Sequence, residues 1–82
     1  MKLFRISQEE NSDYFTYDSV VVAAPDEQTA RVMDPSSGRE MTEWDSKYNG
    51  WCTSADKVVV EYLGEAVTGV KQGIICSSFN AG

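Results

Sequence analysis

The chain has 82 residues, 41% of them hydrophobic and 24% charged, an ordinary mix for a folded domain, with thirteen acids against seven bases for a net charge of −6. That length allows a single domain, residues 1–82, which hides only about 60–65% of the surface its unfolded form exposes; a sheet under one covering element is the economical design, and a deep two-lobed cleft is excluded. The cations Lys2, Arg5, Arg31, Arg39, Lys47, Lys57 and Lys71 stand singly rather than in a basic patch, which argues against direct binding to a nucleic acid and for a protein partner with a basic surface.

Residues 2–7 alternate, with Phe4 and Ile6 on one face and Leu3 and Arg5 on the other, and predict a first strand. The polar segment 8–13 turns the chain back into a second strand over residues 14–23, where Phe15, Thr16, Tyr17, Val20, Val21 and Val22 suit a pleated, half-buried surface. Ala24 before Pro25 is pushed toward an extended conformation, and Pro25 fits a first helical position where its missing N–H is not needed. Asp26 and Glu27 then place negative charge at the positive end of the helix dipole, and Ala30 and Met33 are expected to face the sheet. Pro35 stops the helix near Asp34.

Residues 35–55 show neither period and predict a long loop containing Trp44 and Trp51; loops of that length in small domains are uncommon and often functional. Strand character returns over residues 56–63, with Val58, Val60 and Tyr62 on one face. Gly64, Gly69 and Gly73 hinge a turn or loosely paired edge, and residues 74–79 form the last strand. The fold class expected is α+β: a small antiparallel sheet of about four strands, β-β-α-β-β, with one short helix packed on one face and a long tryptophan-containing loop.

Residues 1–10, MKLFRISQEE, lack the apolar core of a secretion signal, and no segment approaches the roughly 20 apolar residues that span a bilayer, so a cytoplasmic protein with no membrane partner is expected. In a reducing compartment Cys52 and Cys76 read most simply as a loop thiol and a strand thiol. Without histidine, the commonest metal ligand and near-neutral general base are both missing, so no metal, no cofactor and no catalytic residue is assigned. A paired-carboxylate hydrolase built on Glu40, Glu43 or Asp45 would need a groove fixing a sugar between two acids, which a domain this small seldom has.

Two stretches carry the candidate partner-binding residues. In MTEWDSKYNGW, residues 41–51, Trp44, Tyr48 and Trp51 concentrate amphipathic rings near Glu40, Glu43 and Asp45, the composition of an interface hot spot; the plainer reading is that the rings fold inward to close one side of the sheet. In QEENSDYFTYD, residues 8–18, Glu9, Glu10, Asp13 and Asp18 interleave with Tyr14 and Tyr17, as a solvated hairpin or as an acidic patch facing a cationic groove. Wholesale imitation of DNA is excluded by magnitude. Duplex DNA over the roughly 30 Å width of such a globule carries on the order of 18 phosphate charges.

The segment 14–24 followed by Pro25-Asp26-Glu27 and Ala30-Arg31, the tryptophan-containing middle, Leu63-Gly64-Glu65-Ala66, and the ending Gly73-Ile74-Ile75-Cys76-Ser77-Ser78-Phe79-Asn80-Ala81-Gly82 together resemble small uncharacterised proteins of bacteriophages and prophages. A weaker likeness to phage counter-defence proteins of the anti-CRISPR type rests on size, acidity and a β-α-β plan. The resemblance implies a non-enzymatic accessory protein in the host-cell cytoplasm that binds a host protein, such as a component of a nucleic-acid-handling defence complex. The alternative expectation is a structural or assembly protein, homodimeric through an edge strand such as residues 74–79.

Overall fold

The alternation of buried Phe4 and Ile6 with half-buried Leu3 and Ser7 and exposed Arg5 makes β1, Lys2–Ser7, a strand with one buried face. In this computed structural model, which describes residues 1–11, 16–44 and 50–80, it pairs antiparallel with β2, Thr16–Ala24. Phe4 lies opposite Val22 and Ile6 opposite Val20, so these four buried apolar side chains share one face. Each such side chain contributes roughly 1.5–3 kcal/mol on burial. The start of the expected second strand, Tyr14 and Phe15, lies outside the described residues.

The helix α1 spans only Glu27–Arg31. Asp26 is its N-cap, in an extended conformation, and accepts the Thr29 N–H at 2.8 Å. Pro25 therefore precedes the cap instead of opening the helix, because the Asp26 carboxylate satisfies a helix-end donor that Ala24, the cap if Pro25 opened the helix, has no side-chain oxygen to accept. Nor does the helix reach Asp34. Met41 N–H bonds to Val32 C=O and Asp34 N–H to Arg39 C=O, both at 2.6 Å, and an isolated bridge joins Met33 to Glu40, so the chain folds back on itself. Asp34 shapes that turn by accepting from the Ser36 N–H and hydroxyl at 2.8 and 2.7 Å.

Gly38 completes the turn at φ +77°, and a Cβ there would lie 3.3 Å from both Gly73 Cα and Ile74 N. Gly38→Ala is expected to cost about 1–2 kcal/mol, from left-handed strain together with the close backbone approach. A urea midpoint unchanged from the native protein would contradict this role.

Ala55–Lys57 form a 3-10 turn, and β3 then runs Val59–Glu65, three residues later than residue 56. The Arg31 guanidinium secures the junction by donating to Ala55 C=O at 3.3 Å and Val58 C=O at 2.5 Å. Val58 is buried and Val60 half-buried, but Tyr62 is 56% exposed, its ring 5.7 Å from Phe4. The inward face of β3 thus leaves the core before the strand ends.

β4, Gly73–Asn80, pairs with β2. The sheet is four-stranded and antiparallel in the order β3-β1-β2-β4, which bears out the α+β expectation. Consecutive strands β3 and β4 therefore occupy opposite edges, and residues 66–72 cross one end of the sheet, where Ala66 N–H bonds to Met1 C=O at 3.0 Å. One face of the sheet is core. On the other, register aligns Val59, Ser7, Ser19 and Ser78 in one row and Glu61, Arg5, Val21 and Cys76 in the next.

Helix α1 buries Ala30 alone, far too little to cover four strands. Met33, Met41, Trp51 and Cys52 from the following segment complete the cover, with Trp44 packed against them half-buried. Trp51 is fully buried, so of the two readings of its ring the inward one holds, and it presents no surface to a partner. The cause is geometric: a five-residue helix leaves sheet exposed, and the loop's largest apolar side chain fills the gap.

Candidate functional site

The turn after β1 is built by Gln8, which is buried although polar. Its side-chain amide donates to Asn11 C=O at 2.6 Å and Tyr17 C=O at 3.0 Å, while its Oε1 accepts the Asn11 N–H at 2.8 Å. With its amide so satisfied, burial of Gln8 carries no orphan penalty. The turn holds Glu9 and Glu10 outward at the surface.

Glu10 is committed to a neighbour. Its Oε1 accepts the Thr53 N–H and the Thr53 hydroxyl, each at 2.7 Å, tying the first turn to the segment after Cys52. Donation from the Thr53 hydroxyl and then its N–H holds the Glu10 carboxyl below the ordinary value of 4.5. Because the folded-state value is depressed, the tie stabilises the fold above the ordinary carboxylate range and is lost as pH falls through the lowered value. Glu10→Gln is therefore expected to flatten the acid limb of a urea-midpoint profile taken below about pH 5. A profile superimposable on that of the native protein would show that the tie contributes nothing.

Glu9 and Glu10 share a shallow groove of about 420 Å³ with Asp56, Lys57 and Val59. β1 and β3 make this juxtaposition, because Ser7 pairs with Val59 and the residues just beyond each strand end converge. Three carboxylates around one ammonium, all exposed, leave the groove electronegative beside the apolar Val59, which is 58% exposed. Such a surface attracts cations from a distance, over about 8 Å at physiological ionic strength. Asp56 is the one acid here that sequence reading did not select, since nothing local sets it apart.

The other expected site residues are dispersed. Asp18 is exposed where β2 bulges opposite β4, on the strand that pairs with β1, and does not line the groove. Glu40 and Glu43 are exposed on the segment after α1, and Glu40 lines a second cleft of about 280 Å³ with Gln28, Thr29, Val32, Arg39 and Gln72. Asp13, Tyr14, Asp45 and Tyr48 lie outside the described residues. The acids of the two stretches are thus not brought into one described patch; the structure joins Glu9 and Glu10 to Asp56 instead.

Cys52 and Cys76 are separate free thiols, one buried and one exposed. Burial pushes the Cys52 thiol above its ordinary value, and it donates to Ser54 C=O at 3.4 Å, the behaviour of a packing residue. Among the described residues no group of three or more His, Cys, Asp or Glu side chains is placed to hold a metal ion. No described helix is long and apolar enough to cross a membrane. Comparison with family models, with curated proteins and with solved structures finds no match to this chain.

Proposed function

We propose that this protein is a non-enzymatic phage or prophage accessory protein that binds a host protein with a basic surface, acting as an anti-CRISPR-like inhibitor of a nucleic-acid-handling defence complex in the host cytoplasm. The observation that carries the reading is the groove in which Glu9, Glu10 and Asp56 surround Lys57 beside exposed Val59. Its chemistry is that of a docking point for arginine or lysine side chains, with an apolar contact at the rim. Trp44, half-buried against the core, and the exposed acids Asp18, Glu40 and Glu43 lie apart from the groove and offer separate points of contact. The net charge of −6 adds long-range attraction toward a basic partner.

The test is recovery of host proteins on the tagged chain from bacterial lysate at low and at moderate salt, with identification by mass spectrometry. One stoichiometric protein or complex, lost as salt rises, is the expected result. Recovery of the bait alone, or capture indifferent to salt, would refute electrostatic docking. The alternative, a homodimeric structural or assembly protein, is favoured by a separate observation: the sheet ends in an uncharged edge strand, β4.

A further inference from the structure

The two edges of the sheet differ in a way that bears on self-association. Among the described residues β3 and β4 each pair with one strand of the sheet, β1 and β2 respectively, and form its two edges. Such an edge is a template for another strand unless something guards it. β3 is guarded: it carries Glu61 and Glu65 and no basic residue. Two-fold pairing of β3 about Leu63 sets Glu61 of each copy against Glu65 of the other, an added cost for a chain already at −6.

Among the described residues β4 has no such guard. Its sequence, GIICSSFN, holds no charge, and Gln72 before it holds none. Ile75 is 49% and Phe79 45% exposed, and the Phe79 ring lies 4.7 Å from that of Tyr17, extending the apolar rim onto the neighbouring strand. The register shift at Ile75 breaks the first half of the strand, but Cys76, Ser77, Ser78 and Phe79 run on without an insertion, since the second irregularity adds its extra residue, Asp18, to β2.

We propose that β4 is a self-association edge, along which two copies pair antiparallel through residues 76–80 to form one continuous eight-stranded sheet. In that arrangement the two-fold axis passes Ser78, which faces its own equivalent, Ser77 faces Phe79 and Cys76 faces Asn80, so no like charges are opposed. At about 3.4 Å per residue the shared edge covers a few hundred Å² per copy, below the roughly 1,200 Å² total of a standard interface, so the dimer is concentration-dependent rather than obligate. The pairing involves neither Glu9 nor Asp56 and stands independently of the host-binding reading.

Sedimentation of the full chain from about 1 μM to about 1 mM tests the proposal, a range that brackets weak association. Mass is expected to rise from monomer to dimer, with amide resonances of residues 76–80 shifting with concentration while those of β3 stay fixed. Ser78, exposed and opposite Ser19 of its own sheet, is the site for a blocking charge. Ser78→Lys is expected to weaken the dimer at least about tenfold while the amide spectrum stays folded. It changes the net charge from −6 to −5, which by itself favours association, so the loss cannot come from overall repulsion. Thr68→Lys makes the same charge change on an exposed turn and is expected to leave the dimer intact. A monomer at every concentration, a Ser78→Lys variant that dimerises like the native chain, or shifts that map to β3 would each overturn the proposal.

Discussion

Trp51→Ala is expected to destabilise the fold by about 3–5 kcal/mol, the usual range for truncating a buried large aromatic. For a domain of this size total stability is on the order of 4–12 kcal/mol, so the variant is expected to lose about a quarter or more of it. The reason lies in the cover of the sheet. Trp51 is fully exposed to packing and not at all to water, beside Cys52 and within the cluster that joins Phe4, Ile6, Val20 and Val22 to Met33. A tryptophan buries roughly 150–250 Å², which at about 25 cal/mol per Å² is some 4–6 kcal/mol of transfer free energy, an upper bound on its contribution. Trp44→Ala, at a half-buried ring on the margin of the same cluster, is expected to cost markedly less. Urea denaturation of both variants supplies the comparison. Equal losses, or a Trp51→Ala loss under about 1 kcal/mol, would mean that the loop does not carry the cover assigned to it.

The strands were legible because their signals are local. Phe4 and Ile6 alternate with charged and polar neighbours, Val20 and Val22 answer them across the hairpin, and β4 differs from its expected span only at its ends, as strand boundaries do. The helix was legible as to place but not length, because two signals compete. Pro35 marks a stop near Asp34, while Asp34-Pro35-Ser36-Ser37-Gly38 is itself a turn sequence, and the backbone bonds of that turn claim residues 32–34. Whether Trp51 turns inward depended on that length, since a helix reaching Asp34 would have covered more of the sheet than Glu27–Arg31 does. The groove was half legible. Glu9 and Glu10 stand out in their own stretch, but Asp56 joins them only through β1–β3 pairing, a contact between residues nearly fifty positions apart that no local pattern encodes.

Reversing the two groove acids that are not tied into the fold, Glu9→Lys with Asp56→Lys, is expected to weaken capture of a basic host protein by about 100-fold or more. Glu10 is left alone because its carboxylate holds Thr53, and replacing it would confuse binding with stability. Both reversed positions are exposed, so the variant is expected to keep the native stability to urea to within roughly 0.5 kcal/mol of unfolding free energy. Binding responds far more, because each lysine removes an attractive carboxylate and adds a repulsive cation next to Lys57, and opposed like charges at an interface cost several kcal/mol. Much of the loss should fall on the association rate, with a flatter dependence on salt, since the electronegative field of the groove is what salt screens. Reversal of Glu40 and Glu43, on the segment after α1, separates local docking from overall charge: it makes the same change in net charge at a different place. If that pair weakens capture as much as Glu9 with Asp56, only the total charge matters. If neither pair does, the acidic surface is a solvated one and the partner, if it binds, meets the protein elsewhere.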